Sequence, residues 1–192
     1  ALQPANAVQR ISRAQAEASL WREAGDNVKA FEALDAAIAA DADDADLIYE
    51  SAMLAERIDR LDEAEKRFRR VIALQPDRAH AYNALGYSFA DRNIQLDEAR
   101  TLIEKAHQLA PEDAAILDSM GWISFRQGRL ADAEKYLRQA LAKFADGEIA
   151  AHLGEVVWVQ GRHEEARAIW QTQLKAQPDS DILKKTMAKF DK

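Results

Sequence analysis

Small residues recur along this chain at a nearly constant interval: Ala18, Ala52, Gly86, Gly121 and Gly154 stand 34, 34, 35 and 33 residues apart. A second series, Ala30, Ala64, Ala99, Ala133 and Ala166, follows the first by 12 or 13 residues each time. An interval near 34 is the length of one helix, turn, helix unit, so the period alone points to an all-α array of helical pairs. Ala64, Phe68, Val71 and Ile72 fall at i, i+4, i+7 and i+8 and form one apolar helix face, which Ala99, Leu102, Ile103 and Ala106 repeat one unit later. Each pair has a stripe that only the next pair can cover, so stacking is the core. Glycine or alanine at the first landmark lets the two helices of a pair approach closely. A bulky side chain there costs about 1–3 kcal/mol by overpacking. Leu-Asp-Glu-Ala at 61–64 and again at 96–99 reads as a turn followed by acidic residues entering the second helix, where the dipole favours them.

These landmarks resemble those of the tetratricopeptide repeat family over about residues 11 to 180. The family pattern of small, small, aromatic and proline is present as Gly154, Ala166, Trp170 and Pro178, and as Ala52, Ala64, Phe68 and Pro76. Gly86, Ala99, Ile103 and Pro111 follow it with one extra residue in the turn at Asn93 to Gln95. Gly121, Ala133 and Leu137 have Ala145 in place of proline and are one residue short, while Ala18, Ala30, Leu34 and Ala42 are the most degenerate set. The resemblance implies a right-handed α-solenoid of about five units, at 11–44, 45–78, 79–113, 114–146 and 147–180. A head at 1–10 precedes them and a capping helix at 181–192 follows.

The composition agrees: 48% hydrophobic, 31% charged, seven Gly and four Pro leave no long structureless run. No stretch approaches the ~18–20 apolar residues of a membrane helix, so this segment is not expected to insert into a membrane. With no cysteine, disulfides, metal thiolates and thiol catalysis are excluded. A formal charge of −7 argues against nucleic acid, whose phosphates call for a basic surface. The chain begins at Ala without Met and shows no signal peptide, which reads as a processed or excised segment. Leu-Gln-Pro at 2–4 matches Leu-Gln-Pro at 74–76 and reads as the closing turn of an earlier repeat, with a first helix about one turn longer than the others. At the other end, Asp179 and Ser180 are placed to cap a helix whose Ile182, Leu183, Met187 and Phe190 lie on the last repeat. Its Lys184, Lys185, Lys189 and Lys192 read as a solvated face.

Transferring the family's inner-wall positions onto this sequence collects Gln15, Ser19 and Arg22, then Tyr49, Met53 and Arg57, then Asn83 and Tyr87. Asp118, Trp122, Phe125, Arg126, Glu155 and Trp158 continue the wall. Aromatic rings supply contact area at low entropy cost, and Arg57, Arg126 and Asn83 suit a peptide carbonyl or carboxylate. Trp122, Tyr87, Phe125 and Trp158 read alternatively as core between neighbouring first helices. Trp21 and Trp170 stand at packing landmarks and read as core. His80, His107, His152 and His163 have no metal-ligand spacing, and no nucleophile elbow, phosphate loop or dinucleotide fingerprint is present, so neither catalysis, metal nor cofactor is expected. Asp118 and Glu155, if adjacent, would be one carboxylate pair to weigh for acid–base work.

Tyr82-Asn-Ala-Leu-Gly-Tyr-Ser-Phe-Ala-Asp91, Ala115-Ile-Leu-Asp-Ser-Met-Gly-Trp122 and Glu148-Ile-Ala-Ala-His-Leu-Gly-Glu-Val-Val-Trp158 resemble the C-terminal part of proteobacterial tetratricopeptide lipoproteins, over about 82 to 170. That resemblance implies a protein exported to the cell envelope, periplasmic and anchored at the outer membrane in its full-length form. One type in that group is an adaptor that binds a periplasmic carboxyl-terminal processing protease and delivers cell-wall hydrolases to it. The lipobox cysteine and signal sequence of such proteins are not in this sequence. The expected function is a non-catalytic adaptor holding a peptide segment or helix of a partner protein. The alternative is a scaffold segment that packs on its own repeats or self-associates.

Overall fold

In the computed structural model, which describes residues 7–40 and 43–190, the described residues form eleven helices and no strand. They are α1 (Ala7–Glu23), α2 (Asn27–Ala40), α3 (Ala45–Arg57), α4 (Leu61–Leu74), α5 (Ala79–Asp91), α6 (Leu96–Leu109), α7 (Ala114–Arg126), α8 (Leu130–Lys143), α9 (Gly147–Val159), α10 (His163–Ala176) and α11 (Asp181–Phe190). Pro4, Ala42 and Lys192 lie outside the described residues. The all-α fold expected from the period is the one observed. Two compact units divide the chain, one reaching to Leu85 and the other beginning at Gly86.

Five turns close the five helical pairs with one backbone device, the Schellman motif. Asp26, Arg60, Ile94, Arg129 and Arg162 each donate their amide to the carbonyl five residues back, at Trp21, Ala55, Phe89, Ser124 and Val157. The preceding residue in each turn, Gly25, Asp59, Asn93, Gly128 or Gly161, adopts positive φ between 57° and 84°. Asp59 and Asn93 hold this left-handed conformation because their short polar side chains tolerate it. The third turn is one residue longer than the rest, and Gln95 takes up the insertion with a second positive φ of 46°.

Helix ends are otherwise fixed as the sequence dictates. Asp44, Asp113 and Asp146 accept backbone amide hydrogen bonds at the starts of α3, α7 and α9. Asp62 and Glu63 begin α4 and Asp97 and Glu98 begin α6, against the positive end of each helix dipole. The α1 helix has 17 residues where α3 has 13, a difference of about one turn.

In the first unit, α1 packs on α2, α2 on α3 and α3 on α4. Ala18, Ala30, Ala52 and Ala64 are all buried among Phe31, Leu34, Leu47, Ile48 and Phe68. In the second unit, α7 packs on α8, α8 on α9 and α9 on α10, and α11 covers α9 and α10 with a buried Leu183. Ser180 accepts a long amide hydrogen bond from Leu183 at its start. The connection from α8 to α9 is one residue shorter than that from α6 to α7. There Ala145 accepts a hydrogen bond from Gln173 at 2.9 Å, and Phe144 is left 61% exposed.

The glycine landmarks mark the closest helix approaches. A Cβ at Gly86 would stand 2.9 Å from the Ala99 carbonyl oxygen, and one at Gly154 only 1.9 Å from Trp170 Nε1. The Trp170 ring cannot easily retreat, because Phe190 stacks on it at 5.4 Å and Trp158 at 5.9 Å. Gly154→Ala should therefore destabilise the protein by about 1–3 kcal/mol. Urea unfolding followed by tryptophan fluorescence reads the effect, and an unchanged midpoint would show that the ring repacks without strain.

Candidate functional site

The sequence-derived inner-wall residues fall in both units and find different surroundings in each. In the first unit, Arg22, on the last turn of α1, and Tyr49, Glu50, Met53, Leu54 and Arg57 of α3 line a cavity of about 260 Å³. Tyr49 is half-buried. Its ring meets Phe68 edge-on at 5.9 Å and carries the Arg78 guanidinium 4.4 Å from its centroid. Burial raises the Tyr49 phenol above its ordinary pKa, so it stays a neutral hydroxyl. Met53 is 40% exposed and Arg57 is exposed. Gln15 donates to Glu50 at 3.3 Å, and the Asn83 carbonyl oxygen is buried without a hydrogen-bond partner.

In the second unit the wall is filled. Trp122 is only 4% exposed and Asp118 5%, which corrects the expectation that they face an open groove. His152 of α9 takes up that space, stacking on the Trp122 indole at 4.0 Å. Its Nδ1 lies 2.9 and 3.1 Å from the two Asp118 carboxylate oxygens. Phe125 also packs on Trp122, tilted at 5.2 Å, and the Arg126 guanidinium lies 4.6 Å from the ring centroid. Arg126 also donates to the Asp91 carbonyl at 2.7 Å. From α5, the Tyr87 hydroxyl donates to Glu148 at 2.5 Å, with its ring 6.1 Å from His152.

The two carboxylates weighed as a pair have separate partners: Asp118 is held by His152 and Glu155 by Lys189 of α11 at 2.8 Å. Trp158 is half-buried, with Trp170 beside it, Phe190 at 5.2 Å and His163 stacked on it at 4.1 Å. The chain's own last helix thus occupies Glu155 and Trp158. Among the described residues no group of three His, Cys, Asp or Glu side chains is placed to hold a metal, and no helix is long and apolar enough to cross a membrane.

Sequence reasoning missed His152 as the partner of Asp118, although the two stand 34 residues apart, one repeat period, which is itself the signal. The Tyr87–Glu148 bond spans 61 residues, matches no multiple of the period and carries no such signal. Burial by itself would lower the His152 pKa, but the charge and hydrogen bond of Asp118, with Glu148 and Asp91 nearby, outweigh it and raise the pKa above the ordinary histidine value. Burial and then the Glu148 charge push Tyr87 far up, so it keeps its proton and can only donate to Glu148.

Two tetratricopeptide repeat family models match the chain, over residues 22–86 and 120–181. Over 127 residues, 66% of the chain, the sequence is 56% identical to a TPR repeat-containing protein of Pseudomonas aeruginosa and covers 22% of it. Over 135 residues, 68% of the chain, it is 27% identical to protein O-mannosyl-transferase TMTC1 of Mus musculus and covers 14% of it. The chain spans less than a quarter of the length of these curated relatives. A crystal structure of a thermophilic TPR protein of Thermus thermophilus superposes with a TM-score of 0.81 at 21% identity, covering 92% of this chain and 97% of that one. MamA of Desulfovibrio magneticus superposes with a TM-score of 0.70 at 16% identity, covering 90% and 97%. At these identities the likeness concerns the fold alone.

Two outcomes follow from the filled wall. Trp122→Ala should cost about 3–5 kcal/mol of stability through the cavity it leaves. An unfolding free energy unchanged in urea would show that the ring contributes no core packing. The His152–Asp118 pair has a folded pKa raised above the unfolded value of ~6.5, so its stabilisation is full below that pH and is lost as pH rises through the folded pKa. Asp118→Asn should remove this fall in a pH series of urea unfolding; a slope identical to the parent's would exclude the pair as its source.

Proposed function

The chain belongs to the tetratricopeptide repeat family, and from that premise we propose that it is a non-catalytic protein-interaction module that holds an extended segment or helix of a partner protein. The observation that carries this reading is the cavity between α1 and α3, lined by the apolar surfaces of Tyr49, Met53 and Leu54 together with Arg22, Glu50 and Arg57. Such a surface offers anchoring area to a polypeptide, with cationic forks at its edges for backbone carbonyls or carboxylates. We assign partner contact to Tyr49, Met53 and Arg57 first. The edges of Phe125 and Arg126 are secondary positions, both being partly exposed.

The finer reading is an adaptor of the cell envelope, serving a carboxyl-terminal processing protease or its cell-wall hydrolase clients in the periplasm. It is supported by the resemblance of residues 82–170 to envelope lipoproteins. A second reading, a scaffold segment, draws on a separate observation. In the second unit Trp122 is covered by His152, and Trp158 and Glu155 are covered by α11, so that wall is satisfied by the chain itself.

A pull-down from envelope extract with the intact chain and with Met53→Glu, the bound proteins identified by mass spectrometry, separates these readings. The adaptor reading expects a protease of that class or a cell-wall hydrolase to be retained by the parent and lost by about tenfold or more from the variant, a typical anchor effect. Retention of the chain's own copies alone, or equal recovery with both proteins, favours the scaffold. Circular dichroism of Met53→Glu should match the parent, since the side chain is 40% exposed.

A further inference from the structure

Five arginines of the first unit meet carboxylates. Arg60 lies near Glu63, Arg67 bonds Asp35, Arg69 bonds Glu65, Arg70 bonds Asp43 and Arg78 bonds Asp46. Arg22 and Arg57, like Arg13, stand outside these pairs: both are exposed, and neither side chain meets a carboxylate among the described residues. Acidic residues outnumber basic ones in this chain by 33 to 26, so these are unpaired cations on an acidic protein. Both line the same cavity, together with Tyr49, Leu54 and Met53.

Position on the helix explains why a cation sits there. Each arginine belongs to the last turn of its helix, where the dipole is negative. That interaction uses the charge and leaves the guanidinium donors free. Glu50 also lines the cavity, and Gln15 holds it from outside the cavity lining. Among the lining residues two guanidinium groups and one carboxylate leave a single excess positive charge, with the Glu56 charge near enough to act on the Tyr49 phenol. At about 260 Å³ the space is below the roughly 300 Å³ at the lower end of small-molecule sites, a size that suits one or two side chains of a polypeptide.

We infer that this cavity receives one internal Asp or Glu side chain, flanked by an apolar residue, from an extended segment of a partner protein. The carboxylate lies between the Arg22 and Arg57 forks, and the apolar neighbour lies on Tyr49, Met53 and Leu54. A chain end bearing a terminal carboxylate beside an acidic side chain brings two negative charges to a site with one in excess, and Glu50 opposes the second. The inference rests on the reading of the chain as a polypeptide-binding module and adds to it the charge of the partner.

The test uses fluorescein-labelled peptides capped at both ends, Gly-Ser-Ala-Leu-Glu-Leu-Ala-Ser-Gly and its Gln and Lys counterparts, with a fourth peptide ending in a free Leu-Glu. Fluorescence anisotropy against the whole 192-residue chain should show the capped Glu peptide binding about tenfold more tightly than the Gln peptide, the usual worth of a charge-assisted contact. Arg22→Gln and Arg57→Gln should each reduce that preference severalfold while circular dichroism stays unchanged, and added salt should weaken it. Equal binding of the Glu and Gln peptides, a preference that survives both substitutions, tighter binding of the free-ended peptide, or no peptide binding at all would overturn the inference. The interaction-module reading is judged separately by the Met53→Glu pull-down, which scores capture of a protein whatever its charge.

Discussion

The structure depends on how closely two antiparallel helices can be brought together at a position with almost no side chain. Gly86 lies against the Ala99 carbonyl, Gly121 against Leu137 and Gly154 against the Nε1 side of Trp170. Ala18 and Ala52 do the same work in the first unit, both fully covered. A helical pair this tight requires its turn to reverse within three residues or so. The left-handed residue at 25, 59, 93, 128 and 161 achieves that, with the amide of the following residue reaching back five places. Landmark and turn are therefore one constraint repeated, and each pair leaves an apolar face that stacking must bury.

That common scaffold gives the two units different inner surfaces. In the second, aromatic and charged groups satisfy one another: His152 lies between Asp118 and the Trp122 ring, and α11 closes over Trp158 through Phe190 and Lys189. A buried ion pair of this kind costs desolvation, which the direct hydrogen bond and the adjacent ring offset. In the first, the Tyr49 ring is held from behind by Phe68 and Arg78, while Met53, Arg22 and Arg57 stay open. Family position alone does not separate these cases. What decides is whether a neighbouring helix supplies a ring or a counter-charge.

Most of the fold was legible in the sequence because it is periodic. The two small-residue series mark where helices touch, and the acidic entries at 62–63 and 97–98 mark where second helices begin. The inserted residue near Asn93 is taken up by a second left-handed residue, at a turn where added length is cheap. The site was legible as a set of positions and not as surroundings. The burial of Trp122 depends on His152, one period away, which draws attention only once Asp118 is recognised as its counter-charge. The partial covering of Trp158 draws on Phe190, from a helix beyond the last repeat. The exposure of Phe144 comes from a connection one residue short, a local matter of backbone length that hydrophobic pattern does not encode.

The bond from Tyr87 to Glu148 has a structural consequence. It ties α5 directly to the start of α9, 61 residues along the chain. A hydroxyl whose proton is held fast thus joins two helices that the repeat period does not pair, adding one polar tie to the packing of the second unit.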